Sequence, residues 1–362
     1  MARTLLTTTA PDGRTLCFAE WGDPDGFPVI ASHGTPGGRF NRHPDESKYA
    51  EAGARVIVYD RPGYGGSDRH PGRTVVDCVP DVVAIADALG IDQFSVTGGS
   101  GGGPHALAVA ARLPDRVVRA RCSVGVAPYP AEGLDWFAGM DPLNVKEFGW
   151  ALDGERVLVP NIERELAEMA ARVAEDPSKI LGETWELAEA DRAVLARDDH
   201  AQVLRESTED LARGGAWGWV DDDLAFVRPW GFAVSEITVP VEVRYGVKDV
   251  LVPAAHGRWL ATHVPGAATV VAEEDEGHMG DPSVSSSSSD GWSAARDGPS
   301  RSRRAGGPRR SDYGRAAVPR LPSSATRRPK AGRSGFAMTA EVAACEHDGS
   351  TGQRRSPHCR RR

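Results

Sequence analysis

Phe94-Ser-Val-Thr-Gly98-Gly99-Ser100-Gly101-Gly102-Gly103-Pro104-His105-Ala106 reads as a short strand that breaks at G-x-S-x-G and resumes as a helix running to Arg112, before Pro114. A turn that sharp forces the serine into a strained backbone conformation. Gly98 and Gly102, two residues to either side, keep side chains out of the crowded bend. The strain places the Ser100 hydroxyl at the start of a helix, where free N–H groups and the helix dipole favour developing negative charge. This is the pattern of a nucleophile elbow. A plain glycine-rich turn or a phosphate cradle would share the pentapeptide, so its meaning depends on what surrounds it.

Upstream, Val29-Ile-Ala-Ser-His33-Gly34-Thr35-Pro36-Gly37-Gly38 follows a short apolar run directly. Acyl transfer passes through a tetrahedral oxyanion that needs two fixed N–H donors, each contributing about 3 to 4 kcal/mol of transition-state stabilisation. Gly101, just after the serine, and Thr35, in the turn after the first strand, are the candidate donors. Downstream, Val243-Arg-Tyr-Gly246-Val-Lys-Asp249-Val-Leu-Val-Pro253 offers an acid in a loop after a strand, and Glu274-Asp-Glu-Gly277-His278-Met279-Gly280 offers an imidazole after the next. A serine hydroxyl is a weak nucleophile at neutral pH unless a base takes its proton, and an imidazole base needs a carboxylate to hold its tautomer. An Asp after a strand is commonly a turn former, and a lone His is commonly structural. Here the order Ser100, Asp249, His278, each at a strand's C-terminal end, is the order and the place such a site requires. His33 and His105 flank the proposed oxyanion site, but neither has an acid behind it.

Working outward, Thr15 to Glu20, Pro28 to Ser32, Arg55 to Tyr59, Phe94 to Thr97 and Val117 to Val124 read as strands, joined by helical patterns such as Val75 to Leu89 with its terminal Gly90. From about Tyr129 to Ser235 the pattern is helical, as in Asn161 to Glu175 and Thr184 to Ala196. It then returns to Val239 to Tyr245, a helix over Ala254 to Thr262, and Ala268 to Ala272. The expected organisation is a core of residues 1–128 and 236–282 with a mostly parallel sheet, and a helical lid of residues 129–235 inserted before the last strands. Trp217, Trp219 and Trp230 with Asp221 to Asp223 read as lid-core aromatics beside a solvated acidic turn, or as lining for a pocket that takes an aromatic or cationic group.

After Pro282 the text changes to a serine run at Ser285 to Ser289, followed by Arg, Gly, Pro, Ser and Ala without period. Residues 283–362 are therefore expected to be a disordered basic tail, an extension or a shifted reading frame. Reading the coding DNA in the other two frames for an amphipathic helix tests the second idea. The net charge of -8 hides an asymmetry: the tail carries 17 Lys and Arg against 6 Asp and Glu, and residues 1–282 carry 26 against 45. A body that acidic is a poor non-specific binder of nucleic acid, so any such affinity would have to come from the tail. Cys17, Cys78, Cys122, Cys345 and Cys359 are odd in number and unpaired in spacing, which argues against a disulfide framework or a zinc site. The N-terminus lacks a continuous apolar stretch, and no window reaches the roughly 18 apolar residues of a membrane span. A cytoplasmic protein with no metal, no cofactor and no nucleic-acid or membrane partner is expected.

With these motifs in place, residues 15–282 resemble the α/β-hydrolase superfamily, in particular its lid-bearing esterases and prolyl-iminopeptidase-like members. Tyr59-Asp60-Arg61-Pro62-Gly63-Tyr64-Gly65-Gly66-Ser67 is similar to the superfamily's strand-and-turn beneath the site. The resemblance implies acid and base at Asp249 and Gly277-His278, a mobile lid, and a small acyl compound such as an ester or lactone as substrate. Aminopeptidase action on N-terminal proline is the neighbouring alternative, and a non-catalytic ligand-binding receptor is the alternative of another class. Two departures stand out. Prolyl iminopeptidases usually carry a bulky residue where this chain has Gly101, and the superfamily's last helix has no counterpart after Asp281-Pro282.

Overall fold

The computed structural model describes residues 4–182 and 185–279, and the architecture follows from them. The strands are β1 (Thr4–Thr9), β2 (Thr15–Gly22), β3 (Phe27–Ser32), β4 (Ala54–Tyr59), β5 (Phe94–Gly99), β6 (Val117–Ser123), β7 (Val241–Gly246) and β8 (Ala267–Glu273). They form one sheet in the order β1-β2-β4-β3-β5-β6-β7-β8. The β1–β2 and β2–β4 pairs are antiparallel and the rest are parallel.

Period-two alternation divides the sheet into two buried faces. Ile30, Ile57, Tyr59, Phe94 and Val96 point to one face, where they meet Val82, Ile85 and Ala86 of α2 (Cys78–Ala88) and Leu107 of α3 (Gly102–Arg112). Val29, Val56, Val58 and Trp21 point to the other, beside Phe40 and the half-buried Tyr49 of α1 (Ser47–Glu51). β1 was not apparent in the sequence. It is a threonine-rich edge strand that needs only Leu6 on one face and Leu5 on the other, and the ladder with β2 supplies the rest.

The helical segment lies between β6 and β7, as expected. It comprises α4 (Pro142–Asp153), α5 (Glu155–Glu175), α6 (Glu189–Leu195), α7 (Asp198–Gly214) and α8 (Trp217–Phe226), and α9 (Ala254–His263) follows β7. The segment builds its own core. Leu158, Ile162, Leu166, Met169 and Val173 form one stripe of α5 and meet Leu211, Trp219, Val220 and Leu224, with Tyr64 from the sheet side keyed into them.

Two helix expectations are corrected. Asn161 does not open its helix: α5 starts at Glu155, just after Gly154, and runs through Pro160. The helix expected over Thr184 to Ala196 is only Glu189–Leu195, since the apolar spacing upstream of it is used in an irregular stretch. Thr184 and the whole expected tail lie outside the described residues. Among the described residues, no helix is long and apolar enough to cross a membrane.

Candidate active site

Ser100 sits between β5 and α3 with φ 52, in the left-handed region that non-glycine residues avoid. Its N–H donates to the Ser123 carbonyl at 2.9 Å, and its own carbonyl accepts from Gly103 N–H at 2.9 Å, so the turn is fastened on both sides. The flanking glycines are sterically required. A Cβ on Gly98 would lie 2.1 Å from the Gly102 carbonyl oxygen, and one on Gly102 would lie 2.1 Å from that of Ser32.

The same crowding bears on Gly101. A Cβ there would stand 2.2 Å from Thr35 Oγ1 and 3.0 Å from Phe226 Cζ, so this turn has no room for a bulky residue after the serine. Thr35 and Gly101 are thus neighbours. Among the described residues, neither of their N–H groups donates a hydrogen bond to the protein, as a pair reserved for a ligand oxygen would require.

A buried ionic network that sequence reasoning missed holds Thr35 in place. Thr35 Oγ1 donates to Asp222 Oδ2 at 2.6 Å, and Tyr64 Oη donates to the same oxygen at 2.8 Å. Arg61 Nη2 lies 2.5 Å from Asp222 Oδ2, and Arg73 Nη2 lies 2.6 Å from Asp222 Oδ1. Arg61 also donates to the carbonyls of His33 and Gly34. Burial alone would raise the Asp222 carboxyl, but the two guanidinium groups outweigh it and hold the value well below the usual carboxylate range. Charge survives in a core when it is neutralised and hydrogen-bonded, as both Asp222 oxygens are here.

This network corrects the reading of Asp221 to Asp223. They lie on a buried helix, α8, and form no solvated turn: their exposures are 2%, 0% and 1%. Asp221 pairs with Arg69 at 2.8 Å, and that guanidinium stacks 3.5 Å above the Trp217 ring. Trp219 and Trp230 are core residues, as read, and Trp217 is partly exposed.

His278 Nδ1 donates to Asp249 Oδ2 at 2.8 Å, and Asp249 Oδ1 accepts the N–H groups of Leu251 at 2.8 Å and Val252 at 2.9 Å. The tautomer that results leaves Nε2 free to take a proton. Burial opposes the imidazolium, but the charge and hydrogen bond of Asp249, with Asp191 adding to them, lift His278 above the ordinary imidazole value.

The other candidate imidazoles are engaged elsewhere, and His105, expected to have no acid behind it, has Asp222 Oδ1 3.8 Å from its Nε2. His33 Nδ1 pairs with the Gly34 carbonyl at 2.7 Å, and its Nε2 accepts from Arg61 N–H at 3.2 Å. His105 Nδ1 pairs with the Gly101 carbonyl at 2.9 Å. Burial, with Arg61 close by, drives His33 well below the ordinary value and His105 down to about 3, so both stay neutral.

Gly34, Thr35, Ser100 and His278 line one cavity of about 610 Å³, with Asp249 behind the imidazole. The helical segment contributes Met169, Ile180, Leu181, Leu195, Val203, Leu204 and Leu211, together with His200, Ser207 and Thr208. Among the described residues it gives the cavity no carboxylate. Glu273 and Glu276 reach the cavity from the β8 side, and Glu273 pairs with Arg244 at 2.8 Å. No group of His, Cys, Asp and Glu among the described residues is disposed to hold a metal ion.

A serine raised on a strand–turn–helix bend in a sheet of this order defines the α/β-hydrolase class. A family model described as the alpha/beta hydrolase fold matches residues 28–280, and the chain belongs to that family. A proline iminopeptidase of Xanthomonas citri is 39% identical over 107 residues, covering 28% of this chain and 33% of its own. A non-heme chloroperoxidase of Streptomyces lividans is 35% identical over 124 residues, covering 34% of this chain and 45% of its own. The chain spans about a third to a half of the length of the curated relatives it matches. Among solved structures, a thermophilic esterase from Thermogutta terrifontis aligns with a TM-score of 0.54 at 21% identity, covering 81% of this chain and 98% of that one. The enol-lactonase from Burkholderia xenovorans aligns at 0.51 and 20% identity, covering 79% and 97%. At such identities these likenesses are likenesses of fold.

Proposed function

We propose that the protein is a serine hydrolase that cleaves a small carboxylic ester, lactone or related acyl compound through an acyl-enzyme. The observation that carries this reading is the 2.8 Å pair of His278 with Asp249, whose imidazole opens on the same cavity as the strained Ser100. In this scheme Ser100 Oγ attacks the carbonyl while His278 Nε2 takes its proton and Asp249 stabilises the imidazolium. The N–H groups of Thr35 and Gly101 hold the oxyanion. His278 returns the proton to the leaving oxygen, and water, deprotonated by the same imidazole, then releases the acid. The helical segment acts as the lid over this cavity, and its leucines, isoleucine, valine and methionine suit an apolar acyl group.

The relatives named proline iminopeptidase favour a second reading, an aminopeptidase acting on N-terminal proline. Two observations weigh against it. The Asp221 and Asp222 carboxylates, which would have met a substrate ammonium group, are committed to arginines. The position after the serine also has no room for the bulky residue that such peptidases usually carry.

Two measurements test the reading. Ser100→Ala should abolish covalent labelling by a fluorophosphonate probe, and persistent labelling would contradict the assignment of the nucleophile. The wild-type chain should turn over short-chain nitrophenyl esters faster than a proline anilide; the reverse preference would move the assignment to the peptidase. Tight ligand binding with a single slow turnover would instead mark a receptor.

A further inference from the structure

The turn that carries His278 is held from two directions. From the sheet, Gly246 at the end of β7 approaches so closely that a Cβ there would lie 2.1 Å from the Gly277 carbonyl oxygen, and Lys248 N–H donates to the Glu276 carbonyl at 3.0 Å. From the helical segment comes Asp191, in the first turn of α6, with none of its surface exposed. Its Oδ2 accepts the backbone N–H of His278 at 3.0 Å, and its Oδ1 accepts that of Met279 at 2.7 Å. The contact is close: a Cβ at position 277 would lie 2.1 Å from Asp191 Oδ2, so a side chain there would have to push the carboxylate aside. A buried carboxylate is costly unless its oxygens are used, and here both are used on the backbone of one turn.

We propose that Asp191 is a positioning residue: by clamping the N–H groups of His278 and Met279 it holds the imidazole between Asp249 and the cavity, and so makes readiness of the base depend on the seating of α6. This rests on the reading of His278 as the base. Asp249 and Asp191 are the charges that bear on the imidazole from β7 and α6. Glu273 and Glu276 on its own side, Arg244 on β7, and His200, Arg42 and His43 on the cavity wall complete the titratable and charged surroundings. Asp191 favours the imidazolium. Removing its charge therefore lowers the pH at which His278 becomes neutral and competent, while loosening of the turn slows the reaction at every pH.

The experiment is the rate of fluorophosphonate labelling of Ser100 against pH in the full chain, for wild type, Asp191→Asn and His278→Ala, with thermal melting of each. For Asp191→Asn we expect a plateau about tenfold lower or more, together with an acid limb displaced to lower pH, at temperatures where the variant is folded. A plateau and limb identical to wild type, with only the melting temperature changed, would overturn the proposal and leave the base assignment standing. If His278→Ala labels as fast as wild type, the base assignment itself falls and the proposal falls with it. Should Asp191→Asn not fold, Gly277→Ala, whose methyl group displaces the Asp191 carboxylate, carries the same test. Slow labelling is expected there, and wild-type labelling would refute the clamp.

Discussion

Ser100 has a φ of 52 because the turn must lift its hydroxyl clear of the sheet, and a side chain in that region costs on the order of 1–2 kcal/mol. The strain belongs to the Cβ and not to the hydroxyl. Ser100→Ala should therefore leave stability close to wild type, whereas Ser100→Gly should be more stable than Ser100→Ala by up to about 1 kcal/mol, with part of the relief offset by the extra freedom of glycine in the unfolded chain. Urea unfolding of the two inactive variants compares them directly. Equal midpoints would mean that the conformation is not strained as its dihedral indicates.

At this scale the sequence was readable where chemistry forces local company. Ser100, Asp249 and His278 each sit at a strand end beside glycines that sterics demand, and spacing alone exposes that. Asp222 and Asp191 gave no such signal. Asp191 lies in an Ala-, Asp- and Glu-rich helical text and Asp222 is the middle of three consecutive acids; in either place an acid could face water, and only tertiary packing turns it inward to meet the His278 turn or Arg61.

Among the elements, α4 and α8 meet through a pair of acids. Trp219 Nε1 donates to Glu147 Oε1 at 2.7 Å, and Asp223 is buried beside the same side chain. Burial raises Glu147 to about 7, and burial together with the charges of Glu147 and Asp222 raises Asp223 well above its usual range, so the pair holds a proton at neutrality. The sign follows from linkage. Between the ordinary glutamate value of 4.5 and about 7 the folded chain keeps a proton that the unfolded chain has released. Stability is thus greatest below the ordinary value and declines as pH rises to the folded one. Glu147→Gln, which keeps an acceptor for Trp219 and a donor for Asp223, should melt near wild type at about pH 5 and above it at about pH 8. A melting difference independent of pH would rule out the shared proton.

Element identity was largely legible from the text, as in the helical stretch of α5 and the short apolar runs of β3 and β4. Boundaries were less so. The helix read from Asn161 begins earlier, with Pro160 inside it, because packing against α4, α7 and α8 outweighs the local preference of that proline, and β1 has too little apolar text to be seen without its partner.

For the whole molecule, the acidic body and the basic text after residue 282 are the sharpest contrast in the sequence, yet every described residue lining the cavity lies between Gly34 and Met279. A chain ended after Pro282 should therefore label with the fluorophosphonate probe at the rate of the full chain. A marked loss would show that the basic stretch supports the His278 turn or the exposed edge strand β8, where Val270 is 47% exposed.

The helical segment is also bound to the sheet by charge. Asp222 answers Arg61 and Arg73, Asp210 answers Arg39 at 2.9 Å, and Asp191 answers the N–H groups of His278 and Met279. Grafting these helices onto a cousin that lacks the three arginines would import bare anions into an apolar seam, a penalty of roughly 3–5 kcal/mol for each broken pair, and excising them would take the carboxylate from Arg61 and Arg73 while Arg39 keeps Asp60. Exchanging the helices thus requires the arginines to travel with them, so the transferable unit in this chain is larger than the stretch that lines the cavity.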